Sequence, residues 1–478
     1  MTFTPIAVWE AELSHPVAPI TAGPGYGSAR VLARWYSEPV ALADVPLTGG
    51  RATAEQVARA IWRAAGPLVA ARYAAAGAQF PARPAHALAG QAPTTGSTAP
   101  AGPGAPGGPV QADAPDRTDF PAELLTSGLR LRWPPSYLLG RAAALHGAPP
   151  ASVIICTRDR AGQLAACLPA VLRQDYPDFE VIVVDNAPAD DTPADKTTAA
   201  LVGRLTAAGT GGVPLRLVTE PRPGLSWARN AGLAADSGKI VAYLDDDERP
   251  DRHWLAELAR GFTLGQRVTG VSGLVLPAAL DTPAQELYEQ FGGHSKGRGC
   301  TAEVFDQASH ARQHPLYPLP AFGVGASLAF DRAALTRIGG FDVALGAGTP
   351  ARAGEDTAAI ADLMLDGGTF VYWPGAVIWH VHRETVAEVE QQLNGYGSGL
   401  TAFYARAVAR DPRRLATLAR LAPRALRDLS GRDSVRTATM TVGYPDRLRR
   451  ASRRGMLAGP ARYLRSRWVQ ARTARDFG

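Results

Sequence analysis

A short apolar run that ends in three consecutive carboxylates constrains this chain more than any other stretch. Ile240 to Leu244 has the composition of a buried strand, and it leads directly into Asp245, Asp246 and Asp247. Adjacent acids at the end of a buried strand resist joint ionisation, because like charges lie a few ångströms apart. A divalent cation shared between these carboxylates and a diphosphate would offset that repulsion. The alternative interpretation is a solvated acidic turn.

The acid triplet follows a series of strands that alternate with helical patterns. Apolar runs at 152–157, 179–185 and 215–219 precede it, and leucines at helical spacing separate the first two runs. This alternation predicts an α/β fold with a mainly parallel central sheet and helices on both faces. Ligands of such sheets bind where the strands end. We therefore expect Asp185, at the end of the second run, to share a rim with the triplet.

Further motifs lie downstream of the triplet. Residues 271–276 form another predicted strand, and residues 323–330 are glycine-rich and apolar, which suits a backbone held close to a ligand. Gly354-Glu-Asp356 begins a predicted helix, where acids also serve as cap or dipole residues. Residues 370–373 and 377–380 are predicted as two final strands.

Composition divides the chain into four predicted segments. Residues 1–78 are predicted to form a small N-terminal α+β domain, in which a capping box at Thr53 starts the helix. Residues 79–128 are rich in Pro, Gly and Ala, cannot bury enough apolar surface to offset their ordering entropy, and are predicted to be a disordered linker. Residues 129–385 are the predicted α/β domain, and 386–478 a helical Arg-rich segment.

Positive charge is concentrated in the last segment. The whole chain has a net charge of +6, but residues 401–478 contain nineteen arginines against five aspartates. Nucleic-acid phosphates are one partner for such a tail, although aromatics are sparse and no nucleic-acid module is present. Helical stretches of Arg with Leu and Trp favour peripheral contact with anionic membrane instead. A solvated helix face is the alternative.

The sequence also predicts the cellular location. It contains no run of 18 or more apolar residues, its N-terminus lacks a signal-peptide pattern, and its three cysteines lack metal-ligand spacing. We therefore expect a cytoplasmic protein that contacts the inner face of the plasma membrane through the Arg-rich tail.

The ordered set of motifs resembles the family 2 glycosyltransferases of the GT-A fold over roughly residues 150 to 385. The matching stretches are Val153-Ile-Ile-Cys-Thr157, Gln174-Asp-Tyr-Pro177, Val181-Ile-Val-Val-Asp-Asn186 with Asp191-Thr192, Pro223-Gly-Leu-Ser-Trp-Ala-Arg-Asn-Ala-Gly232, Leu244-Asp-Asp-Asp247, Gly325-Ala-Ser-Leu-Ala-Phe330, Gly339-Gly-Phe-Asp342, Gly354-Glu-Asp356 and Trp379-His380. Each motif is weak by itself, but their shared order and their positions at predicted strand ends and loops make coincidence an inadequate explanation.

The resemblance implies metal-dependent, inverting transfer of a hexosyl or deoxyhexosyl group from a nucleoside-diphosphate sugar. The acceptor would be a hydroxyl of a glycan, a lipid-linked saccharide or a small molecule, in cell-envelope glycan, glycolipid or secondary-metabolite biosynthesis. By the same resemblance, Asp356 would deprotonate this hydroxyl. Mn²⁺ or Mg²⁺ would be held by Asp245, Asp247 and His380, although a histidine at a strand end is also commonly a structural residue. The nucleotide-sugar contacts would be Thr157, Asp159, Asp185, Arg229 and Asp246.

Other functions fit the sequence less well. Gly293-His-Ser-Lys-Gly297 fits the nucleophile elbow of serine hydrolases, but that motif needs a strand before it and a helix after it. Processive polysaccharide synthases contain a Gln-x-x-Arg-Trp sequence. Here Gln391-Gln-Leu-Asn394 is not followed by Arg-Trp, which disfavours processive synthesis. A protein that binds sugar nucleotides, anionic membrane or nucleic acid without catalysis is the remaining alternative, and the intact acid triplet and Asp356 disfavour it. The donor sugar, nucleotide base and acceptor stay open.

Overall fold

The computed structural model describes residues 3–75, 128–131, 134–189, 192–317, 322–430, 440 and 443–477 of the 478-residue chain. The predicted linker at 79–128 lies outside the described residues except for Gly128.

The helices are α1 (Ala54–Ala75), α2 (Ser136–His146), α3 (Ala161–Val171), α4 (Thr198–Ala208), α5 (Leu225–Ala235), α6 (Trp254–Gly261), α7 (Pro283–Gln290), α8 (Arg332–Arg337), α9 (Glu355–Leu365), α10 (Val386–Arg410), α11 (Arg414–Ser430) and α12 (Asp446–Asp476). The strands are β1 (Ile6–Glu12), β2 (Ile20–Thr21), β3 (Ser28–Trp35), β4 (Glu38–Pro46), β5 (Arg51–Ala52), β6 (Ala151–Thr157), β7 (Phe179–Asn186), β8 (Leu215–Glu220), β9 (Ile240–Asp245), β10 (Glu248–Pro250), β11 (Val268–Pro277), β12 (Glu303–Phe305), β13 (Ser327–Asp331) and β14 (Thr369–His380).

The N-terminal unit, residues 3–75, is a small sheet with one helix packed on it. Strand β3 lies between a parallel neighbour, β1, and an antiparallel neighbour, β4. Val31, Trp35 and Ile61 belong to a hydrophobic core of its own. The capping box before α1 is present, because the Gln56 N–H donates to Thr53 Oγ1 at 3.2 Å and the Thr53 N–H donates to Gln56 Oε1 at 2.8 Å.

The central sheet has the strand order β10-β14-β11-β13-β9-β6-β7-β8, and β12 pairs with β14 beside this order. Parallel pairings join β9, β6, β7 and β8, and also β11 and β14. Antiparallel pairings join β13 to both β9 and β11, and β14 to both β10 and β12. The predicted α/β fold is confirmed, while the sheet is mixed rather than mainly parallel because the strands after β9 include antiparallel insertions.

Helices cover both faces of this sheet, as predicted. Side chains of a strand alternate between its faces, so Ile155 packs with helices α3, α4 and α6, whereas its neighbour Ile154 packs with α5, α8 and α9. The apolar runs of β6, β7 and β9 are therefore buried on both sides, which explains why they lack polar alternation.

The last strand differs from its prediction. Residues 370–373 and 377–380 were expected to be separate strands, but the structure has one continuous strand, β14. The register against β11 shifts between the Ser272–Tyr372 pair and the Leu274–Val377 pair. Pro374 therefore falls in a bulge, a position at which a strand tolerates a residue without an N–H donor.

Helices α10 and α12 pack against each other through small residues. A Cβ added to Gly455 would lie 2.0 Å from the carbonyl oxygen of Asn394, and one added to Gly397 would lie 2.1 Å from that of Ser452. This close approach fixes α12 on the α/β unit with one of its faces toward solvent. Within the described ranges, no helix combines the length and apolar character needed to cross a membrane.

Candidate active site

Parallel pairing brings polar residues of three strands to one rim of the sheet. Thr157, the last residue of β6, is paired with Asp185 of β7, and Cys156 is paired with Asp245 at the end of β9. Three of the predicted site residues, Thr157, Asp185 and Asp245, therefore occupy neighbouring strand ends. This is the arrangement expected from the rule that parallel strands end on the same side.

Asp246 lies directly behind this rim and is held by two donors. Thr157 Oγ1 donates to Asp246 Oδ2 at 2.7 Å, and Arg160 Nη1 lies 2.7 Å from Asp246 Oδ1. Burial raises the pKa of Asp246 to about 6, although both donors oppose that effect. Arg160 was missed from sequence, where the signal available was its place in the loop directly after β6.

A short strand after the triplet brings His380 to Asp247. Strand β10 pairs with the end of β14 so that Glu248 is opposite His380, and the Val381 N–H donates to the Asp247 carbonyl at 3.1 Å. His380 Nε2 consequently lies 3.6 Å from Asp247 Oδ1. Burial opposes ionisation of Asp247, but nearby cationic side chains, with Arg160 donating to its Oδ2 at 2.7 Å, outweigh burial and lower the pKa of this carboxyl. Burial also lowers the pKa of His380, to about 4, so this imidazole is neutral near pH 7.

Asp247, Glu248 and His380 form a group with the spacing of a metal site. One ligand atom of each lies within 4.8 Å of the others, and all three residues are buried. Glu248 Oε2 accepts the Asp245 N–H at 2.9 Å, while Glu248 Oε1 has no hydrogen-bond partner among the described residues. Two carboxylates and an imidazole suit a divalent cation, and the open Glu248 oxygen fits a ligand position.

The carboxylate of Asp245 contacts Arg229 and lies outside this group. Its Oδ1 lies 3.3 Å from Arg229 Nη2, and it is not part of the Asp247–Glu248–His380 group. Glu248, which the sequence prediction omitted, is the third member of that group, and the metal role of Asp245 stays a prediction. Glu248 acquires its position only through the pairing of β10 with β14, in which it is opposite His380, 132 residues later in the chain.

Arg229 is buried among acids. Its side chain is 2% exposed, Nη1 lies 2.9 Å from Glu355 Oε1, and Nη2 donates to the Gly325 carbonyl at 3.3 Å. Burial and the neighbouring Asp356 raise the pKa of Glu355 to about 7, against the opposing charge of Arg229. These contacts join α5 to the start of α9, and the contact of Arg229 with the nucleotide stays a prediction.

Asp356 projects from the first turn of α9 toward the glycine-rich stretch before β13. Its Oδ2 accepts the Gly325 N–H at 2.8 Å and its Oδ1 accepts the Thr357 N–H at 2.6 Å. Gly354 begins the helix with φ of +97°, and a Cβ there would lie 2.6 Å from the Gly399 carbonyl oxygen, so glycine is required. Asp356 is partly exposed, whereas the adjacent Glu355 is buried.

Asp185 lies on the β7 side of the rim, with β6 between it and Asp245, and Asp159 is close by. Burial raises the pKa of Asp185 despite its hydrogen bond with Thr198, and the charge of Asp159 adds to that effect. Among the described residues, Asp185 Oδ1 has no hydrogen-bond partner. Asp159 adopts φ of +53° in the loop after β6, and its Oδ1 accepts the Ala189 N–H at 3.0 Å. Asp185 Oδ1 is therefore an acceptor available to a ligand.

A cavity of about 680 Å³ adjoins Asp246, Asp247 and Glu248. Three arginines contribute to its wall: Arg160, Arg249 and Arg383. Arg383 Nη2 lies 3.8 Å from Asp247 Oδ2 and its side chain is 42% exposed. Carboxylates beside cationic side chains in one cavity can accommodate an anion together with its counter-cation.

The hydrolase alternative fails on local structure. The Gly293–Gly297 motif follows helix α7 rather than a strand, so Ser295 is not at a strand-to-helix turn. Instead, the motif places the His294 ring beside the His380 ring, with ring centroids 4.3 Å apart.

Known proteins are similar to this chain mainly in the stretch that contains these site residues. The model of the family "Glycosyl transferase family 2" matches residues 152–335. The glycosyltransferase AglE of Haloferax volcanii is 35% identical over 109 residues, which are 22% of this chain and 33% of AglE. The succinoglycan biosynthesis protein ExoO of Rhizobium meliloti is 27% identical over 266 residues, which are 52% of this chain and 65% of ExoO. The chain thus spans less than two thirds of each of these relatives.

Two solved structures are also similar. The mannosyltransferase PcManGT from Pyrobaculum calidifontis, in complex with GDP-Man and Mn²⁺, gives a TM-score of 0.41 at 21% identity, over 71% of this chain and 86% of its own. S. aureus TarS in complex with UDP-GlcNAc gives 0.36 at 15% identity, over 53% and 66%. The family match covers strands β6 to β13, which carry most of the rim described above. Residues 152–335 of this chain are thus similar to the family "Glycosyl transferase family 2", and this stretch is less than half of the chain.

Proposed function

We propose that the protein transfers a sugar from a nucleoside-diphosphate sugar to an acceptor hydroxyl, with inversion at the anomeric carbon. The observation that carries this proposal is the group Asp247–Glu248–His380 beside a cavity with three arginines. Asp247 and Glu248 lie in the stretch that matches the family 2 model. The group offers ligands to a divalent cation, and the arginines offer donors to a diphosphate.

Asp247, Glu248 and His380 are the residues that would hold the cation. A bound divalent cation there stabilises the negative charge that develops on the departing diphosphate. The imidazole favours Mn²⁺ over Mg²⁺, which prefers oxygen ligands. Arg160, now paired with Asp246 and Asp247, would turn from these carboxylates to the diphosphate when the cation neutralises them.

Asp356 is the proposed general base. Its two backbone N–H donors, from Gly325 and Thr357, orient the carboxylate and leave lone pairs for an acceptor hydroxyl. A base on the side of the sugar opposite the diphosphate gives a single displacement and hence inversion. Glu355 is unsuited to this role because it is buried against Arg229.

Thr157, Asp159, Asp185 and Asp246 are the proposed contacts to the nucleoside. Asp185 Oδ1 has no hydrogen-bond partner in the part of the chain that the structure describes, and Asp185 lies near the end of β7. Both observations support a hydrogen bond to base or ribose. We propose that Arg229 acts one step removed, by holding Asp245 and Glu355 in place rather than by touching the donor.

A lipid-linked or envelope-glycan acceptor at the inner face of the plasma membrane is favoured by the solvent face of α12. Leu457, Leu464 and Trp468 recur at helical spacing, and they are 85%, 64% and 59% exposed. Arg454 and Arg465 are exposed on the same helix. An apolar stripe flanked by arginines suits shallow insertion among anionic lipids.

A donor screen tests the catalytic proposal. The protein is incubated with a panel of UDP-, GDP- and dTDP-sugars in Mn²⁺, Mg²⁺ or excess EDTA, and release of nucleoside diphosphate is measured. We expect release from one nucleotide class, with Mn²⁺ but not with EDTA, and its loss in Asp247→Ala. Asp366→Ala, which removes an exposed acid paired with Arg337, is the matched control. Binding of a donor without turnover in any metal would support a non-catalytic binding protein instead.

A further inference from the structure

The N-terminal unit is joined to the α/β unit by direct contacts. The Ile6 N–H donates to the Leu280 carbonyl at 3.0 Å, and Tyr26 Oη donates to Asp281 Oδ1 at 2.7 Å. Leu32 of β3 is buried together with Leu276 of β11 in one hydrophobic cluster. The two units therefore share a packed interface, and β3 lies on it.

Arg30 extends from β3 across this interface. It is held within its own sheet by Asp44, the residue opposite it on β4, with Arg30 Nε 3.0 Å from Asp44 Oδ1. Its Nη1 lies 3.3 Å from Oε2 of Glu289, near the end of α7. The N-terminal unit thus supplies a cation to one oxygen of Glu289.

The other carboxylate oxygen of Glu289 begins a series of contacts that ends at the group Asp247–Glu248–His380. Glu289 Oε1 lies 2.9 Å from His382 Nε2, and His382 Nδ1 lies 2.8 Å from His380 Nδ1. His380 Nε2, on the far side of that ring, lies 3.6 Å from Asp247 Oδ1. His380 and His382 are both buried, as is most of Glu289.

These contacts fit one arrangement of the imidazole protons when a cation is bound. An ionised carboxylate accepts hydrogen bonds only, so His382 Nε2 carries the proton that Glu289 receives. A metal ligand needs a lone pair, so His380 Nε2, the atom that faces Asp247, would carry no proton when it holds a cation. The His380 proton is then at Nδ1, where His382 Nδ1 can accept it across 2.8 Å.

We propose that the N-terminal unit positions the metal-facing histidine of the active site through the chain Arg30–Glu289–His382–His380, here called the histidine relay. The proposal rests on the function proposed above, because it assigns His380 Nε2 to the cation. A carboxylate that fixes the tautomer of a metal-bound histidine is a general device. In this protein a second histidine, His382, lies between the carboxylate of Glu289 and His380. The N-terminal unit supplies Arg30, the cation at the other end of the series.

His294 offers a competing arrangement. His294, His380 and His382 have ligand atoms within 4.8 Å of one another and could hold an ion among three imidazoles. An ion bound between the two facing Nδ1 atoms of His380 and His382 would need free lone pairs on both. The 2.8 Å contact between them indicates a hydrogen bond instead.

A Mn²⁺ titration of the full chain tests the relay without sugar nucleotide, with free Mn²⁺ followed by electron paramagnetic resonance. Glu289→Met is expected to raise the Kd for Mn²⁺ by about 10- to 100-fold, the usual effect of removing a residue that orients a metal ligand. Arg30→Gln should raise it in the same direction but less. Arg34→Gln is the matched control, because Arg34 lies four residues along the same strand and pairs with Asp251 across the same interface. It should alter the melting temperature but not the Kd.

Selective ¹⁵N-histidine labelling supplies a spectroscopic readout in the metal-free protein. We expect protonated Nδ1 in His380 and protonated Nε2 in His382, and loss of this pattern in Glu289→Met. Neither readout requires turnover, so failure of sugar transfer and failure of the relay are distinguishable. The proposal is overturned by wild-type Mn²⁺ affinity in Glu289→Met and Arg30→Gln, by an equal loss in Arg34→Gln, or by absence of Mn²⁺ binding to the wild type. It is also overturned if His294→Ala abolishes binding while Asp247→Ala retains it, since the ion would then sit among the imidazoles.

Discussion

Arg229 Nη1 lies 2.9 Å from Glu355 Oε1, and neither side chain is more than 7% exposed. This buried pair separates two adjacent acids at the start of α9 into different roles. Glu355 is turned inward and neutralised by Arg229, whereas Asp356 is partly exposed and hydrogen-bonded by backbone donors. The Gly354-Glu-Asp sequence therefore combines one residue that anchors the helix with one that is free to meet a substrate.

The first prediction follows from this separation. Asp356→Asn keeps size and shape but removes the base, so kcat for sugar transfer should fall by about 10² to 10⁴. Donor KM should change little, whereas the melting temperature should fall slightly, because the amide oxygen can accept from only one of the Gly325 and Thr357 N–H groups. Steady-state kinetics with the donor identified by the screen measures this.

Glu355→Gln gives the contrasting outcome. It removes the carboxylate nearest to Arg229, which is 2% exposed and cannot turn to solvent as the half-exposed Arg332 beside Asp236 can. The melting temperature should therefore drop, although Asp245 remains as a partner of Arg229, and any folded enzyme should stay active. If Asp356→Asn retained wild-type kcat, or if Glu355→Gln were the more severely inactive of the two when folded, the assignment of the base would be wrong.

The second prediction concerns Arg160, which neutralises Asp246 and Asp247 in the absence of a cation. Arg160→Met removes a competitor for these carboxylates, so we expect Mn²⁺ to bind about 3- to 10-fold more tightly, as for a partly exposed charge at short range. Donor KM should rise, because the diphosphate loses a cationic partner. Calorimetric titration with Mn²⁺ and separate donor kinetics measure the two effects. Weaker Mn²⁺ binding by this variant would mean that Arg160 supports the metal group rather than competing with it.

The sequence predicted the sheet and its rim because both depend on local patterns. Continuous apolar runs identify strands buried on both faces, and the parallel rule then places Thr157, Asp185 and Asp245 together. Glu248 could not be assigned in this way, because its neighbour His380 reaches it through a strand pairing 132 residues distant in sequence.

Contacts between units were equally inaccessible from sequence. The Arg30–Glu289 pair joins residues 259 apart, and no periodicity of either segment indicates it. Arg229 was expected near the nucleotide because its motif resembles a donor-binding loop. Its burial against Glu355 depends on how α5 and α9 pack on one face of the sheet, which no local pattern specifies.

The third prediction concerns the pH dependence of stability. Asp236 follows α5 and pairs with Arg332, yet burial raises its pKa from 3.8 to about 6. The folded state holds this proton more tightly than the unfolded chain does. Its contribution to stability is therefore complete below about pH 4 and is lost as the pH rises through 6, by about 3 kcal/mol at most.

Asp236→Asn tests this contribution, because asparagine resembles the protonated carboxyl at every pH. We expect the variant to melt above the wild type at pH 7.5, with a smaller difference at pH 4.5, in scanning fluorimetry. Asp366→Asn, at an exposed pair, should show no such trend. A variant that melts below the wild type at pH 7.5 would indicate that the ion pair with Arg332 outweighs the cost of burial.

The last prediction concerns the solvent face of α12. Burial of Leu457 and Trp468 among lipid headgroups removes large apolar surfaces from water, and arginines on the helix attract anionic lipid. Leu457→Ser combined with Trp468→Ser should weaken binding to phosphatidylglycerol liposomes by roughly 10-fold or more, measured by cosedimentation. Val304→Ser, at an exposed apolar residue of β12, is the control and should bind as the wild type does. Binding should also weaken with added salt, because screening shortens the reach of the arginine charges. Equal binding to neutral and anionic liposomes, or an unaffected double variant, would show that this face is not the membrane contact.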